Sequence, residues 1–192
     1  MRWSLVSVLL LLGAVAHGRR APAPRDLLEI AEVQATPGAP AEISVKARTV
    51  LGQILAGRPE FVARLEGAPD PKAHPAEYRR FLDARHVRAF AVQLKVDDFA
   101  RGLSPATKPG ASGQVLTIKV GVSLVGSQIP GDALALAGSG GATVMAEVGD
   151  TLRPREEEGA IDDALRDALT HAVDDAVSKL SAPPRPTKPK KR

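Results

Sequence analysis

Two stretches near the middle of the chain decide the fold: residues 89–99 read AFAVQLKVDDF and residues 115–125 read VLTIKVGVSLV. Apolar and polar side chains alternate in both, which is the pattern of a β-strand with one face in the core. The positions predicted to be buried are Phe90, Val92, Leu94 and Val96, and then Leu116, Ile118, Val120, Val122 and Leu124. The connection between them, residues 100–113, reads ARGLSPATKPGASG and predicts a long flexible loop, so the two strands form a hairpin with an open tip.

A third strand is predicted at residues 142–148, after a glycine-rich stretch, residues 126–141, that we expect to be mobile. Its GSGG motif at residues 138–141 precedes a strand and not a helix, so it predicts a flexible turn and not a phosphate-binding loop. Near the start of the chain, residues 26–34 read DLLEIAEVQ and fit a short strand or a short helix.

The best helical pattern is the last one, residues 160–180. Residues 156–158 are three glutamates at its start and Lys179 lies near its end, in agreement with the helix dipole. Its apolar positions form one continuous face: Ile161, Leu165, Ala168, Leu169, Ala172, Val173, Ala176, Val177 and Leu180. That face must cover something, and the apolar face of the sheet is the natural partner.

Shorter helices are predicted at residues 46–55 and 76–84. Residues 43–47 also alternate like a strand, and Pro59 can start a short helical turn. The prediction is an α+β fold: a two-layer sandwich of a three- to four-stranded, mainly antiparallel sheet covered by the long C-terminal helix and the earlier helix.

The first sixteen residues predict export. Met1-Arg2-Trp3 carries a positive charge, a leucine- and valine-rich run follows, and Ala14-Val15-Ala16 offers the small residues that signal peptidase needs. The apolar run spans only residues 3–16, whereas a membrane-spanning helix needs about 17 to 25 residues. Cleavage near Ala16 into the periplasm or medium, with no transmembrane helix left, is the prediction. An uncleaved anchor and a buried helix are the alternatives.

The pattern divides the chain into four parts. Residues 1–16 are the signal peptide, residues 17–40 a flexible linker with room for a short strand, and residues 41–182 a single α+β domain. Residues 183–192 are a disordered, basic, proline-rich tail.

The chain contains no cysteine, which excludes disulfides, thiol catalysis, cysteine-type zinc sites and a lipid anchor on a cysteine after the signal. Aromatic residues make up only 3% of the chain, so the stacking platforms that bind sugars or bases are nearly missing. The core must be built from alanine and branched aliphatic residues.

The net charge of +4 is unevenly placed. Residues 26–182 hold 17 basic and 22 acidic side chains, so the folded body is net negative. The tail holds no acid and five cations: Arg185, Lys188, Lys190, Lys191 and Arg192. Such a tail is more often a solubilising end with no partner; the other interpretation is that these five residues attach the protein to an anionic envelope surface or polymer. The predicted partners are an envelope protein or such a polymer, and not intracellular nucleic acid.

The sequence predicts no catalytic, cofactor-binding or metal-binding residues, and hence no enzyme. One helical face, Asp167, His171, Asp174 and Asp175, has metal-like spacing, but the favoured interpretation is a solvated acidic face, because this side of the helix lies opposite the apolar stripe. Asp97 and Asp98 point to opposite faces of a strand, and no G-x-S-x-G elbow occurs. The alternative function is a weak metal-dependent hydrolase that uses the acidic face of the C-terminal helix, with Asp167, His171 and Asp175.

The order of elements resembles that of small exported envelope domains. The relevant segments are RPEFV at 58–62, FAVQL at 90–94, LTIKV at 116–120, a third strand and the alanine-rich helix 160–180. Over residues 40–180 this is similar to the curli-secretion and penicillin-binding-protein-activator modules and to the amino-terminal domain of the periplasmic Tol protein. The resemblance implies a non-catalytic scaffold that docks other envelope proteins. It implies no lipid attachment, because the cysteine is missing, and no functional residues carry over.

Overall fold

The computed structural model describes residues 24–106 and 113–181. The predicted signal peptide, residues 17–23 of the predicted linker and the tail with Arg185, Lys188, Lys190, Lys191 and Arg192 lie outside the described residues, whereas residues 24–40 of the linker are described and include a strand. The elements, in chain order, are β1 (Arg25–Ala35), α1 (Ile43–Ala56), α2 (Pro75–Arg85), β2 (Val87–Pro105), β3 (Gln114–Ile129), β4 (Leu134–Val148) and α3 (Pro154–Ser181).

The four strands form one sheet in the order β1-β2-β3-β4. The β2–β3 and β3–β4 pairs are antiparallel, whereas β1 runs parallel to β2, from Arg25 opposite Val87 to Ala35 opposite Val96. The predicted α+β fold is confirmed, and the sheet is mixed. The segment at residues 26–34, which fitted a strand or a helix, is the edge strand β1.

Both stretches predicted to be flexible contain strand. Strand β2 continues through residues 100–105, with Ala100 opposite Lys119 and Pro105 opposite Gln114. The glycine-rich segment is also mostly strand, because β3 runs to Ile129 and β4 begins at Leu134. These two predictions were wrong because glycine and proline do not prevent a segment from pairing in a sheet, and backbone pairing needs no apolar alternation.

Glycines in β4 have a packing reason. A Cβ built on Gly138 would lie 2.8 Å from the Cβ of Ala176, and one on Gly140 would lie 2.6 Å from the nitrogen of Ala172. Both would also overlap carbonyl oxygens of α3. Helix α3 therefore lies directly on the backbone of β4, which is possible only because the strand offers glycine and the helix offers alanine at the contact.

Helices α1 and α3 cover one face of the sheet and enclose the main core. Its fully buried large side chains are Ile43, Leu51, Val92, Leu94, Val96, Leu116, Ile118, Val120, Leu124, Leu165, Leu169 and Val173. Helix α1 already begins at Ile43, so residues 43–47 are helical and do not form a strand. The turn expected at Pro59 is a single turn, closed by the hydrogen bond from the Phe61 N–H to the Arg58 carbonyl at 3.2 Å. It does not continue as a helix, because Phe61 forms a parallel bridge with Asp26.

Helix α2 packs on the opposite face, at one end of the sheet. Tyr78 and Leu82 of α2 form a second cluster with Leu27, Val87 and Ala89. Val87 and Ala89 alternate with the core-facing residues of β2 and therefore point to the other side. The helix predicted at residues 76–84 is confirmed, and it adds a local third layer.

The described chain begins and ends at the same end of the sheet. Strand β1 starts there, β3 ends there with Ile129 opposite Ala89, and the last turns of α3 are fixed there by an ion pair between Arg58 and Asp174. We call this the terminal end. The opposite end, formed by residues 98–105, 114–121 and 141–148, is the hairpin end.

Candidate interaction surface

Three residues of the acidic face of α3, His171, Asp174 and Asp175, contact neighbouring parts of the domain. Arg58 Nη1 lies 2.6 Å from an oxygen of Asp174. Asp175 Oδ2 accepts hydrogen bonds from Lys179 Nζ at 2.6 Å and from the backbone N–H of Ser139 at 2.9 Å. The hydrogen bond from Lys179, followed by the one from Ser139, holds the pKa of the Asp175 carboxyl below its usual value of 3.8.

His171 also contacts the backbone of the sheet. Its Nδ1 lies 3.3 Å from the carbonyl oxygen of Gly141. Within residues 24–106 and 113–181, no group of three or more His, Asp or Glu side chains could hold a metal ion. The structure thus does not bring Asp167, His171, Asp174 and Asp175 together as a ligand set.

The other candidate acids also form ion pairs or hydrogen bonds. Asp98 lies 2.7 Å from Lys119 Nζ, and Asp97 has its pKa lowered by a hydrogen bond with Ser123 and, after that, by Lys95. The glutamates that start α3 act in three separate contacts. Glu156 accepts the backbone N–H of Arg153, Glu157 pairs with Arg101, and Glu158 pairs with Lys46. None of them converges with a second acid on a common cavity.

Two edges of the sheet are closed by contacts from neighbouring elements. On β4, Asp175 takes the N–H of Ser139 and His171 contacts the carbonyl of Gly141. On β1, the N–H of Asp26 donates to Glu60 and its carbonyl accepts from Val62, while Arg48 Nη1 donates to the carbonyl of Ile30 at 2.9 Å. Such contacts are the usual means by which a protein prevents a further strand from adding to its sheet.

The part of β2 that extends beyond the end of β1 forms a further, open stretch of edge. Strand β1 ends opposite Val96, and the last bond on that side runs from the Thr36 N–H to the Val96 carbonyl at 2.9 Å. Strand β2 continues for nine more residues to Pro105 without a neighbour on that side in the described part of the chain. Residues 100–105 are exposed or partly exposed, and Leu103 keeps 43% of its surface accessible.

The grooves on the described surface are shallow. One groove, with a volume of about 420 Å³, lies beside β1, between Leu28, Leu65 and Tyr78. Burial, together with the charge of Glu29, raises the pKa of Tyr78. The groove is open to solvent, and Asp70, one of the acids that line it, accepts the backbone N–H groups of Lys72 and Ala73. The hairpin end, with its open edge, is therefore the better candidate for a functional surface.

Comparisons with known proteins give no family. No protein-family model matches the sequence, and no curated protein does. Among solved structures, the chain is similar to a lipoprotein candidate from Caulobacter crescentus, at 17% identity and a TM-score of 0.43, over 80% of this chain and 87% of that one. It is also similar to a minor lipoprotein from Acinetobacter baumannii, at 6% identity and a TM-score of 0.40, over 82% of this chain and 96% of that one.

These TM-scores lie below 0.5, so nothing about function is carried over from either structure. The resemblance to the curli-secretion, penicillin-binding-protein-activator and Tol types has no matching family model behind it. Of the helices in residues 24–106 and 113–181, none has the length and apolar character that crossing a bilayer requires.

Proposed function

We propose that this protein is an exported, non-enzymatic accessory domain of the cell envelope. Its basic tail holds it at an anionic envelope surface, and its hairpin end faces away from that surface to contact an envelope protein. Export rests on residues 1–16, with cleavage near Ala16. The non-enzymatic character is supported by the candidate acids of α3 and β2, which form separate ion pairs.

The observation that carries the proposal is the position of the chain ends. Helix α3 ends at Ser181 at the terminal end, and the tail cations follow directly in sequence. A proline-rich chain extends by about 3.1 Å per residue, so the tail can reach a surface without distorting the domain. The hairpin end lies at the other side of the sheet.

Charge is compatible with the same orientation. The hairpin end, residues 98–105, 114–121 and 141–148, contains two acidic and two basic side chains, so it has no net charge, whereas the tail holds five cations and no acid. An anionic surface therefore attracts the tail more strongly than the hairpin end.

The test of the tail is a pair of variants. One deletes residues 183–192, and the other keeps the length but replaces Arg185, Lys188, Lys190, Lys191 and Arg192 by glutamine. Each Lys or Arg near an anionic bilayer contributes up to about 1 kcal/mol to the binding free energy. The Debye length, over which charges interact, falls from ~10 Å at 0.1 M salt to ~3 Å at 1 M, so this contribution weakens at high salt. Both variants should lose co-sedimentation with phosphatidylglycerol vesicles at low salt and keep the melting temperature.

The full-length protein should itself be released from the vesicles by 1 M salt. Equal sedimentation of all three proteins at low salt would show that the tail is only a solubilising end. Export is tested separately by mass spectrometry of the protein from periplasm and medium, where the chain should begin at His17. Recovery only from the cytoplasm with Met1 intact contradicts it.

A further inference from the structure

We propose that the turn between β3 and β4, residues 129–135, inserts into an anionic phospholipid bilayer beside the basic tail. The inference rests on the proposed function in that it names a bilayer, and not a polymer, as the anionic surface, and adds a contact made by the folded domain. The two can fail separately, because the tail can bind a surface into which this turn does not insert.

The turn is apolar and exposed. Residues 129–135 read IPGDALA, in which Asp132 is the only charged side chain. Leu134 keeps 68% of its surface accessible, and the alanines on both sides of it are exposed as well. A leucine in this position gains free energy by leaving water for an apolar phase, which the domain itself does not offer it.

The tail leaves the fold close to this turn. A Cβ on Gly138 would lie 2.8 Å from the Cβ of Ala176, and α3 runs antiparallel to β4. From Ala176 to its end at Ser181 the helix advances about 7.5 Å, whereas from Gly138 back to Leu134 the strand spans about 10 to 13 Å. The start of β4 therefore projects beyond the end of α3, where residues 182–192 continue.

The two segments that adjoin the fold at the terminal end are both cationic. Residues 17–25 contain three arginines and no acid, and residues 182–192 contain five cations and no acid. Arg25, the first residue of β1, is exposed. These eight cations exceed the single negative charge of Asp132 in the turn, whereas the hairpin end has no net charge. The charge of the terminal end thus complements an anionic surface.

The apolar turn beside the basic segments identifies that surface as a bilayer. Electrostatic attraction alone does not distinguish a bilayer from an anionic polymer, because both attract Lys and Arg. Only a bilayer has an apolar phase directly below its charged headgroups, and Leu134 can bury its side chain there. A membrane signal that is marginal alone becomes stable when an apolar group and a polybasic segment act together.

The test uses the exported form that begins at His17, because the apolar run of residues 3–16 would itself bind a bilayer. Binding is measured by co-sedimentation with phosphatidylglycerol vesicles, and separately to polyphosphate, which carries negative charge and has no apolar phase. Leu134→Ser should weaken vesicle binding by at least about fivefold and leave polyphosphate binding within about twofold. Asp132→Asn should strengthen vesicle binding, because it removes the acid of the turn.

The matched control is Met145→Ser. Met145 is 70% exposed on the same strand, but it lies at the hairpin end. The substitution should change neither vesicle binding nor polyphosphate binding. Since both side chains are exposed, Leu134→Ser and Met145→Ser should keep the melting temperature of the parent protein.

Equal vesicle binding by Leu134→Ser and the parent protein would overturn the proposal, and so would an equal loss in Met145→Ser. A parent protein that binds polyphosphate but not vesicles identifies the surface as a polymer; this removes the inference and leaves the role of the tail intact. If the variant with five glutamines in the tail binds as tightly as the parent, the proposed function fails, and Leu134→Ser alone decides the inference.

Discussion

The contact between α3 and β4 leads to a sharp prediction for two adjacent glycines. In Gly140→Ala the new methyl group overlaps the carbonyl oxygen of Ala168 and lies 2.6 Å from the nitrogen of Ala172. These are helix backbone atoms, which cannot move aside like the end of a flexible side chain. In Gly141→Ala the new methyl group points to the other face, where the nearest atom is the Val120 carbonyl oxygen at 3.6 Å, an ordinary contact.

Forcing a methyl group into a filled contact costs about 1–3 kcal/mol, and a clash with helix backbone belongs at the upper end. We expect Gly140→Ala to lower the free energy of unfolding by about 2–3 kcal/mol, or the melting temperature by roughly 4–12 °C. Gly141→Ala should be neutral or stabilising by up to about 1 kcal/mol, because alanine has less freedom to lose than glycine. Urea unfolding followed by circular dichroism measures both. Equal effects of the two substitutions would refute the account of why β4 is rich in glycine.

Two further predictions concern ion pairs. Asp26 is buried and accepts two hydrogen bonds from Arg88, at 2.7 and 2.9 Å, so Asp26→Asn should lower the free energy of unfolding by about 1–3 kcal/mol, measured by urea unfolding. Asp98 forms an exposed ion pair with Lys119, so Asp98→Asn should lower it by less than about 1 kcal/mol. A larger effect of Asp98→Asn than of Asp26→Asn would contradict this prediction. Because the pKa of Asp175 is lowered below 3.8 in the folded protein, its contribution to stability is present above pH 3.8 and is lost as the pH falls through the folded-state pKa. Asp175→Asn should therefore make the free energy of unfolding less dependent on pH below 3.8, and an unchanged pH profile would count against the bonds from Lys179 and Ser139.

Much of the fold could be predicted because apolar periodicity follows burial. The alternation of Phe90, Val92 and Leu94 located β2, and the continuous apolar face of residues 161–180 located α3. Both patterns arise where one side of an element faces the core. The parallel pairing of β1 with β2 leaves no such local mark, because it depends on which edge of the sheet the chain returns to.

The wrong predictions concern segments in which backbone contacts, and not side-chain burial, determine the structure. Gly138 and Gly140 look like a flexible turn in the sequence, but glycine is also the residue that lets a helix lie on a strand. Residues 100–105 contain proline and glycine, yet pairing with β3 keeps them extended.

The open edge could not be predicted for the same reason. It arises from the difference in length between β1 and β2, and a one-residue bulge separates Val96 from Asp98 where β1 ends. The spacing of the acids on α3 likewise does not show that Asp175 accepts the N–H of Ser139, because that contact depends on where α3 lies on the sheet.

The most direct test of the account is the orientation of the protein on an anionic surface. Since the chain contains no cysteine, Asp132→Cys at the terminal end and Ser104→Cys at the hairpin end each provide one unique labelling position. With a fluorophore on each, bound to phosphatidylglycerol vesicles that carry a headgroup quencher, the label at residue 132 should be quenched more strongly than the label at residue 104. Equal quenching, or stronger quenching at residue 104, would contradict a domain that is held by its terminal end and presents its hairpin end.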